Sequence, residues 1–229
     1  MQHKTPKLNK RLIIFLIPMT ILVISGAVIT WVKENRPDII QKTSNAFMDF
    51  QDRFGKAKIP EEYIPIYMAA EKEYGVPWTL LAAHHRIETR FSTMDPLLSP
   101  AGAEGHMQFM PCTFVGWNYP GCEALGKGDI PNEDKTNPEV IKKYGGYGVD
   151  ANGDGIADPY DIEDAIFSTA NYLSIVGAAD GEIEKAVFDY NKSDQYVENV
   201  LWYYEKFEEV RPKYDRRFKQ IVSNLDNEK

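Results

Sequence analysis

A glutamate set in an apolar helix is the residue of this sequence best suited to chemistry. Glu88 closes the run Leu80-Leu81-Ala82-Ala83-His84-His85-Arg86-Ile87, whose side chains are apolar over most of a helical circumference, as in a helix buried on several sides. A carboxyl group among apolar neighbours keeps its proton near neutral pH because burial disfavours the ion. Such a neutral acid can give a proton to a departing oxygen. His85, His84 and Leu81 precede Glu88 by three, four and seven residues and share its face. The plain alternative is a solvated glutamate paired with the flanking Arg86 or Arg90. His84 and His85 point about 100° apart on a helix, so they do not face one metal ion together and read as packing or hydrogen-bonding residues.

A second candidate lies in the acidic stretch from Asp150 to Asp161. Asp150, Asn152, Asp154, Gly155 and Asp158 match a calcium loop, with Ile156 offering its backbone carbonyl and Asp161 in the place usually held by glutamate. The expectation is a structural calcium ion held by Asp150, Asn152, Asp154, Ile156, Asp158 and Asp161. The competing reading is an Asp/Gly turn that caps a helix beginning near Glu163. No cofactor is expected for catalysis. Cys112 and Cys122 are expected to form a disulfide, because two cysteines close in sequence can close a small loop in an oxidising compartment. The alternative is two free thiols.

Helices must position these groups. The patterning predicts helices over Glu61–Tyr74, Trp78 to about Phe91, Glu163–Val176 with Ile175 among its inward residues, and Glu182–Tyr190. A long final helix from about Gln195 displays Val197, Val200, Leu201, Tyr204, Phe207 and Val210. Between Ser92 and Gly148, Pro and Gly punctuate the chain, leaving short helices around Met107 to Trp117 and Pro138 to Tyr144. No alternation typical of a sheet is found, so the fold class is mainly α.

The 229 residues allow one catalytic domain. From Leu12 to Val32 no charged side chain occurs, a length that spans a bilayer core of about 30 Å. Lys4, Lys7, Lys10 and Arg11 precede it. The expectation is a basic cytoplasmic tail (1–11), a transmembrane anchor (12–32), a helical linker (33–58), the catalytic domain (59–210) outside the cell membrane, and a charged extension (211–229). A cleaved signal peptide ending near Ser25-Gly26-Ala27 is the alternative. The net charge of −8 excludes a general nucleic-acid binder.

Four ordered motifs carry a family resemblance over roughly Ile59 to Phe207. They are Leu80-Leu81-Ala82-Ala83 through Ile87-Glu88-Thr89-Arg90-Phe91, Ser99-Pro100-Ala101-Gly102-Ala103-Glu104-Gly105-His106-Met107-Gln108, Ala170-Asn171-Tyr172-Leu173, and Tyr190-Asn191. This chain resembles the lytic transglycosylases of the soluble-lytic-transglycosylase type. That likeness implies a lysozyme-like helical fold with Glu88 as acid and base, and Thr89, Ser99, Met107, Gln108, Tyr172, Tyr190 and Asn191 along the glycan cleft. Thr89 replaces the usual Ser and His106 the usual Leu. Gln108 and Asn191 bring amides suited to sugar acetamido and hydroxyl groups, and Tyr190 a hydroxyl suited to the acid.

The resemblance implies cleavage of the peptidoglycan MurNAc-GlcNAc β-1,4 bond with formation of a 1,6-anhydro end, hence a non-hydrolytic lyase. The alternatives are a hydrolytic muramidase, with Asp95 or Glu104 as a second carboxylate, and a non-catalytic wall-binding protein. Peptidoglycan strands and the membrane are the expected partners; a protein partner is not revealed by the sequence.

Overall fold

The computed structural model describes residues 31, 36, 58–123 and 125–227, without the side chains of 219 and 221–227. Ala57–Lys229 forms one compact unit, and its described part is mainly helical. A 3-10 turn at Glu61–Tyr63 leads into α1 (Ile64–Tyr74), and α2 follows at Trp78–Thr89. Three short helices come next: α3 (Pro111–Val115), α4 (Asn132–Lys135) and α5 (Pro138–Tyr144). α6 (Ile162–Ile175), a 3-10 turn at Ala178–Asp180, α7 (Ile183–Tyr190) and α8 (Asp194–Asn227) complete the order. Extended pairing among the described residues is limited to isolated bridges of Glu104 with Leu98 and Phe109.

Local chemistry sets these boundaries. Gly75 ends α1 at φ +74°, its N–H on the Glu71 carbonyl, in the left-handed conformation that glycine adopts without a Cβ penalty. Asn137 and Asp161 cap α5 and α6 through side-chain oxygens that accept backbone N–H groups. Every residue of α2 from Trp78 to His85 is buried. This helix packs chiefly on α8, while α1 packs on α6 and α2. Leu80, Leu81, Ile166, Leu173, Val200 and Phe207 fill the core between them.

Four expectations are corrected. Among the described residues, no helix is long and apolar enough to cross a membrane, a finding that stands against the expected single-pass membrane protein with its catalytic domain outside. The long helix α8 carries charged side chains along its length, from Asp194 to Asp215 and Arg217. The expected tail, anchor and linker fall on residues outside the described ones, save Trp31, Arg36 and Lys58. Second, α8 runs on past residue 210 and the segment is part of the fold: Arg211 pairs with Glu71 at 2.6 Å, Asp215 accepts from the Trp78 indole at 3.1 Å, and Arg217 pairs with Glu61 at 2.7 Å. Third, Ile175 is 65% exposed, because it is the last residue of α6 and lies beyond the packed face. Fourth, the helix expected from Met107 shrinks to Pro111–Val115, since Glu104 bridges to Phe109 and Gln108 is left-handed at φ +54°.

Candidate active site

Glu88 lies one residue before the end of α2. Its side chain keeps partial contact with solvent, yet burial of the carboxyl raises its pKa from 4.5 to about 7, and a hydrogen bond from Tyr196 works in the opposite sense. The Tyr196 hydroxyl, from the first turns of α8, donates to Glu88 Oε1 at 2.5 Å. The same hydroxyl lies 2.9 Å from His84 Nδ1. His84 is fully buried and burial lowers its pKa to about 3, so its ring is neutral. The Tyr190 ring lies edge-on to His84 at 4.8 Å and parallel to Tyr196 at 6.4 Å.

A second polar chain holds the end of α2 against the neighbouring loop. Arg90, Phe91 and Ser92 all adopt positive φ, between 54° and 65°, a conformation that disfavours non-glycine residues by roughly 1–2 kcal/mol each. The Phe91 N–H returns to the His85 carbonyl, and the Ser92 N–H reaches Thr89 Oγ1. This left-handed run places Ser92 Oγ at 2.7 Å from both His85 Nε2 and His106 Nδ1. His106 Nε2 lies 2.8 Å from the Tyr160 carbonyl and must donate to it, so neutral His106 accepts from Ser92. Ser92 then accepts from His85 Nε2, and the Tyr67 hydroxyl donates to His85 Nδ1 at 2.6 Å. One direction of donation therefore satisfies all four groups. Burial lowers the pKa of His85 to about 3, the nearness of the His106 ring acting in the same sense, and burial lowers that of His106 too.

Tyr190, whose titration feels Glu88, also lines a cavity of about 320 Å³, together with Gln108, Met110, Trp117, Tyr147 and Tyr172 among others; Glu88 itself is not among the lining residues. Aromatic faces with a few polar groups suit a sugar ring. A larger hollow of about 710 Å³ between α7 and α8, lined by Ile183, Phe188, Val197 and acidic side chains, shares no lining residue with it.

The expected cleft residues separate into two groups. Gln108, Tyr172 and Tyr190 line the cavity. Thr89, Met107 and Ser99 are not among its lining residues: buried Thr89 donates to the His106 carbonyl at 2.7 Å, Met107 is fully buried, and Ser99 Oγ accepts the Ala103 N–H. Asn191 is exposed just past α7. Tyr190, expected to donate to the acid, gives its proton to the Met107 carbonyl at 2.6 Å; Tyr196 takes that part instead. Glu104 is paired with Lys135 at 2.6 Å, and Asp95 is exposed. The influences on Glu88 are burial and Tyr196, with no second carboxylate among them.

Cys112 and Cys122 form the expected disulfide, with Cα atoms 5.6 Å apart. In the acidic loop, Asp150 accepts the N–H groups of Gly153, Asp154 and Gly155, Asn152 accepts from Asp154, and Asp154 accepts from Ile156. Asp158 accepts from Tyr160, and Asp161 caps α6. Among the described residues, no group of three or more His, Cys, Asp or Glu side chains is gathered to hold a metal ion. Asp164, fully buried, also holds the loop: its oxygens accept the N–H groups of Ala151, Asn152 and Asp158. Sequence reasoning missed Asp164, Ser92 and Tyr196. For Asp164 a signal existed: an acid in the first turn of a helix, four residues before Ser168 on the same face.

No protein-family model matches the chain, and no solved structure matches it. It is similar to an L-Ala–D-Glu endopeptidase of Bacillus subtilis (strain 168), with 28% identity over 133 residues, 58% of this chain and 37% of that protein. The chain thus spans well under half the length of this relative. The finding corrects the expected enzyme class: the relative is named for cutting a peptide bond, which is hydrolysis, and nothing in the comparisons supports a lyase.

Proposed function

We propose that this domain acts on peptidoglycan as a muramidase-type hydrolase of the glycan strand, with Glu88 as its proton donor. The observation that carries the reading is a carboxyl that burial raises to a pKa of about 7, linked through Tyr190, which feels its charge, to a cavity that Tyr190 lines together with Trp117, Tyr147 and Tyr172. The relative supports the substrate, since an L-Ala–D-Glu bond joins the first residues of peptidoglycan stem peptides. Its peptidase activity is not carried over, because only 37% of that protein is covered.

Protonated Glu88 gives its proton to the bridging oxygen between MurNAc and GlcNAc, and the C1–O bond breaks. Substrate assistance is a known exception to the use of two carboxylates, and the sugar's own acetamido group stabilises the cation here. Water then adds to C1, and its proton returns to the ionised Glu88. The four polar members of the His85 chain hold the loop of Gly105 to Phe109, and so Gln108, in place.

Purified sacculi digested with the full chain test this. The expected muropeptides carry reducing MurNAc ends, and Glu88→Gln releases none. Anhydro ends would sink the hydrolytic step, and new free amino groups without new sugar ends would replace the glycan reading by a peptidase.

A further inference from the structure

Among the described residues, His84 Nε2 is a buried polar atom without a hydrogen-bond partner, inside a ring that is itself fully buried one turn before Glu88. Leaving a buried polar group unsatisfied carries about 1–3 kcal/mol, so its presence beside the acid calls for a reason. The other ring nitrogen supplies one. Tyr196 has a single proton, and its oxygen lies within hydrogen-bond distance of both Glu88 Oε1 and His84 Nδ1.

Two arrangements are open. If Tyr196 gave its proton to His84, the neutral ring would carry its own proton on Nε2, leaving a buried N–H with no acceptor. If Tyr196 gives its proton to Glu88, His84 donates from Nδ1, and Nε2 keeps only a bare lone pair. Orphaned buried N–H groups are rarer than under-used acceptors, which selects the second arrangement. A hydroxyl that accepts one hydrogen bond also donates its own proton more strongly.

We propose that His84 is a positioning residue: its Nδ1–H turns the Tyr196 hydroxyl onto Glu88 Oε1, so that the acid's proton resides on Oε2. The proposal rests on the reading of Glu88 as the proton donor. Oε1 is committed as an acceptor in both charge states, and the departing oxygen meets only the protonated Oε2. The bare Nε2 is the consequence, since the one nitrogen that could be satisfied is the one that acts on the acid.

The titratable groups that face Glu88 are Tyr196 of α8, Tyr190 of α7 and His84 on its own helix. Tyr190 in turn meets Tyr172 of α6. Both Tyr190 and Tyr196 are held neutral by burial, well above the ordinary tyrosine range, so a change in the carboxyl's titration on altering His84 reports the hydrogen-bonded line itself.

The test begins with the full chain labelled with 15N-histidine. The expected spectrum at neutral pH shows His84 with a protonated Nδ1 and a pyridine-type Nε2; a protonated Nε2 overturns the proposal. Carboxyl 13C titration is then followed in His84→Phe and in His84→Asn, whose amide can donate from the position of Nδ1. The Glu88 midpoint is expected to rise in His84→Phe, because a weakened donor to the ion raises the pKa, and to return toward the wild-type value in His84→Asn. An unchanged midpoint in His84→Phe overturns the proposal, as does a rise equal in both variants. If His84→Phe does not fold, the wild-type tautomer and His84→Asn decide. On sacculi, kcat falls in His84→Phe while KM holds. A wild-type chain that releases no glycan product sinks the muramidase reading and leaves the tautomer result standing, so the two failures are told apart.

Discussion

Replacing Glu88 by glutamine should make the protein more stable while abolishing its activity, and the gain should depend on pH. A carboxyl raised from 4.5 to about 7 is one whose ionised form the fold disfavours by about 3 kcal/mol, at about 1.4 kcal/mol per pH unit. The partial exposure of the side chain trims this to about 2–3 kcal/mol. A group whose folded pKa is raised contributes stability that is whole below its unfolded pKa and is lost as pH rises through the folded one. The wild type therefore weakens between about pH 4.5 and pH 7, the window set by those two values, and Glu88→Gln lacks this decline. The two proteins should have nearly equal stability near pH 4. Near pH 8 the variant should be ahead by about 2–3 kcal/mol, or roughly 5–10 °C in Tm for a domain of this size. Urea denaturation of both proteins at the two pH values measures it. A difference that is the same at both, or a variant that is weaker near pH 8, refutes the premise that Glu88 is a buried acid with no compensating charge.

Three other perturbations test the scaffold. Gly105 sits at φ +76°, and a Cβ there would fall 1.8 Å from the Pro159 carbonyl oxygen, so Gly105→Ala should lose more than about 4 kcal/mol, seen as failure to recover folded protein or a collapse of Tm. Asp164→Ala removes the acceptor of the Ala151, Asn152 and Asp158 N–H groups; a loss of about 2–4 kcal/mol is expected, with faster amide exchange at those three positions while α2 stays protected. Reducing the Cys112–Cys122 bond, which spans a sequence separation of 10, should cost about 3 kcal/mol by loop entropy, measured as a lower denaturation midpoint in the presence of reductant.

The helices were legible because their signals are local. Pro138–Tyr144 has Asn before it, proline at its first position and glycine after it, and its limits follow from those three residues. α2 showed its burial through an apolar circumference, and with it the environment of Glu88. What could not be read is what depends on distant partners. Tyr196 meets Glu88 across 108 positions, and nothing in its own turn of α8 distinguishes it from a core tyrosine. Ser92 reaches the two histidines through a left-handed run of Arg90, Phe91 and Ser92 itself, with no glycine among them, where local propensity alone would continue or simply end the helix. The acidic loop was legible in its Asp, Asn and Gly pattern, but Asp164, which accepts three of its backbone N–H groups, lies beyond the motif.

The polar groups around Glu88 share one property that links fold to chemistry. A protonated histidine beside a carboxylate would favour the ion and pull its pKa down by about 1–3 units, removing the proton that the chemistry needs. α2 carries two histidines within a turn of Glu88, and both are kept neutral by burial, at about 3. Each also has a hydrogen-bonded partner, Tyr196 for His84 and the Tyr67–Ser92 pair for His85. The tyrosines are neutral for the same reason. These neighbours meet Glu88 as oriented dipoles, and of its two influences the raising one, burial, outweighs the lowering one, Tyr196. The burial of α2 from Trp78 to His85 does more than fill a core: it keeps the histidines beside the acid uncharged, and so leaves the acid protonated.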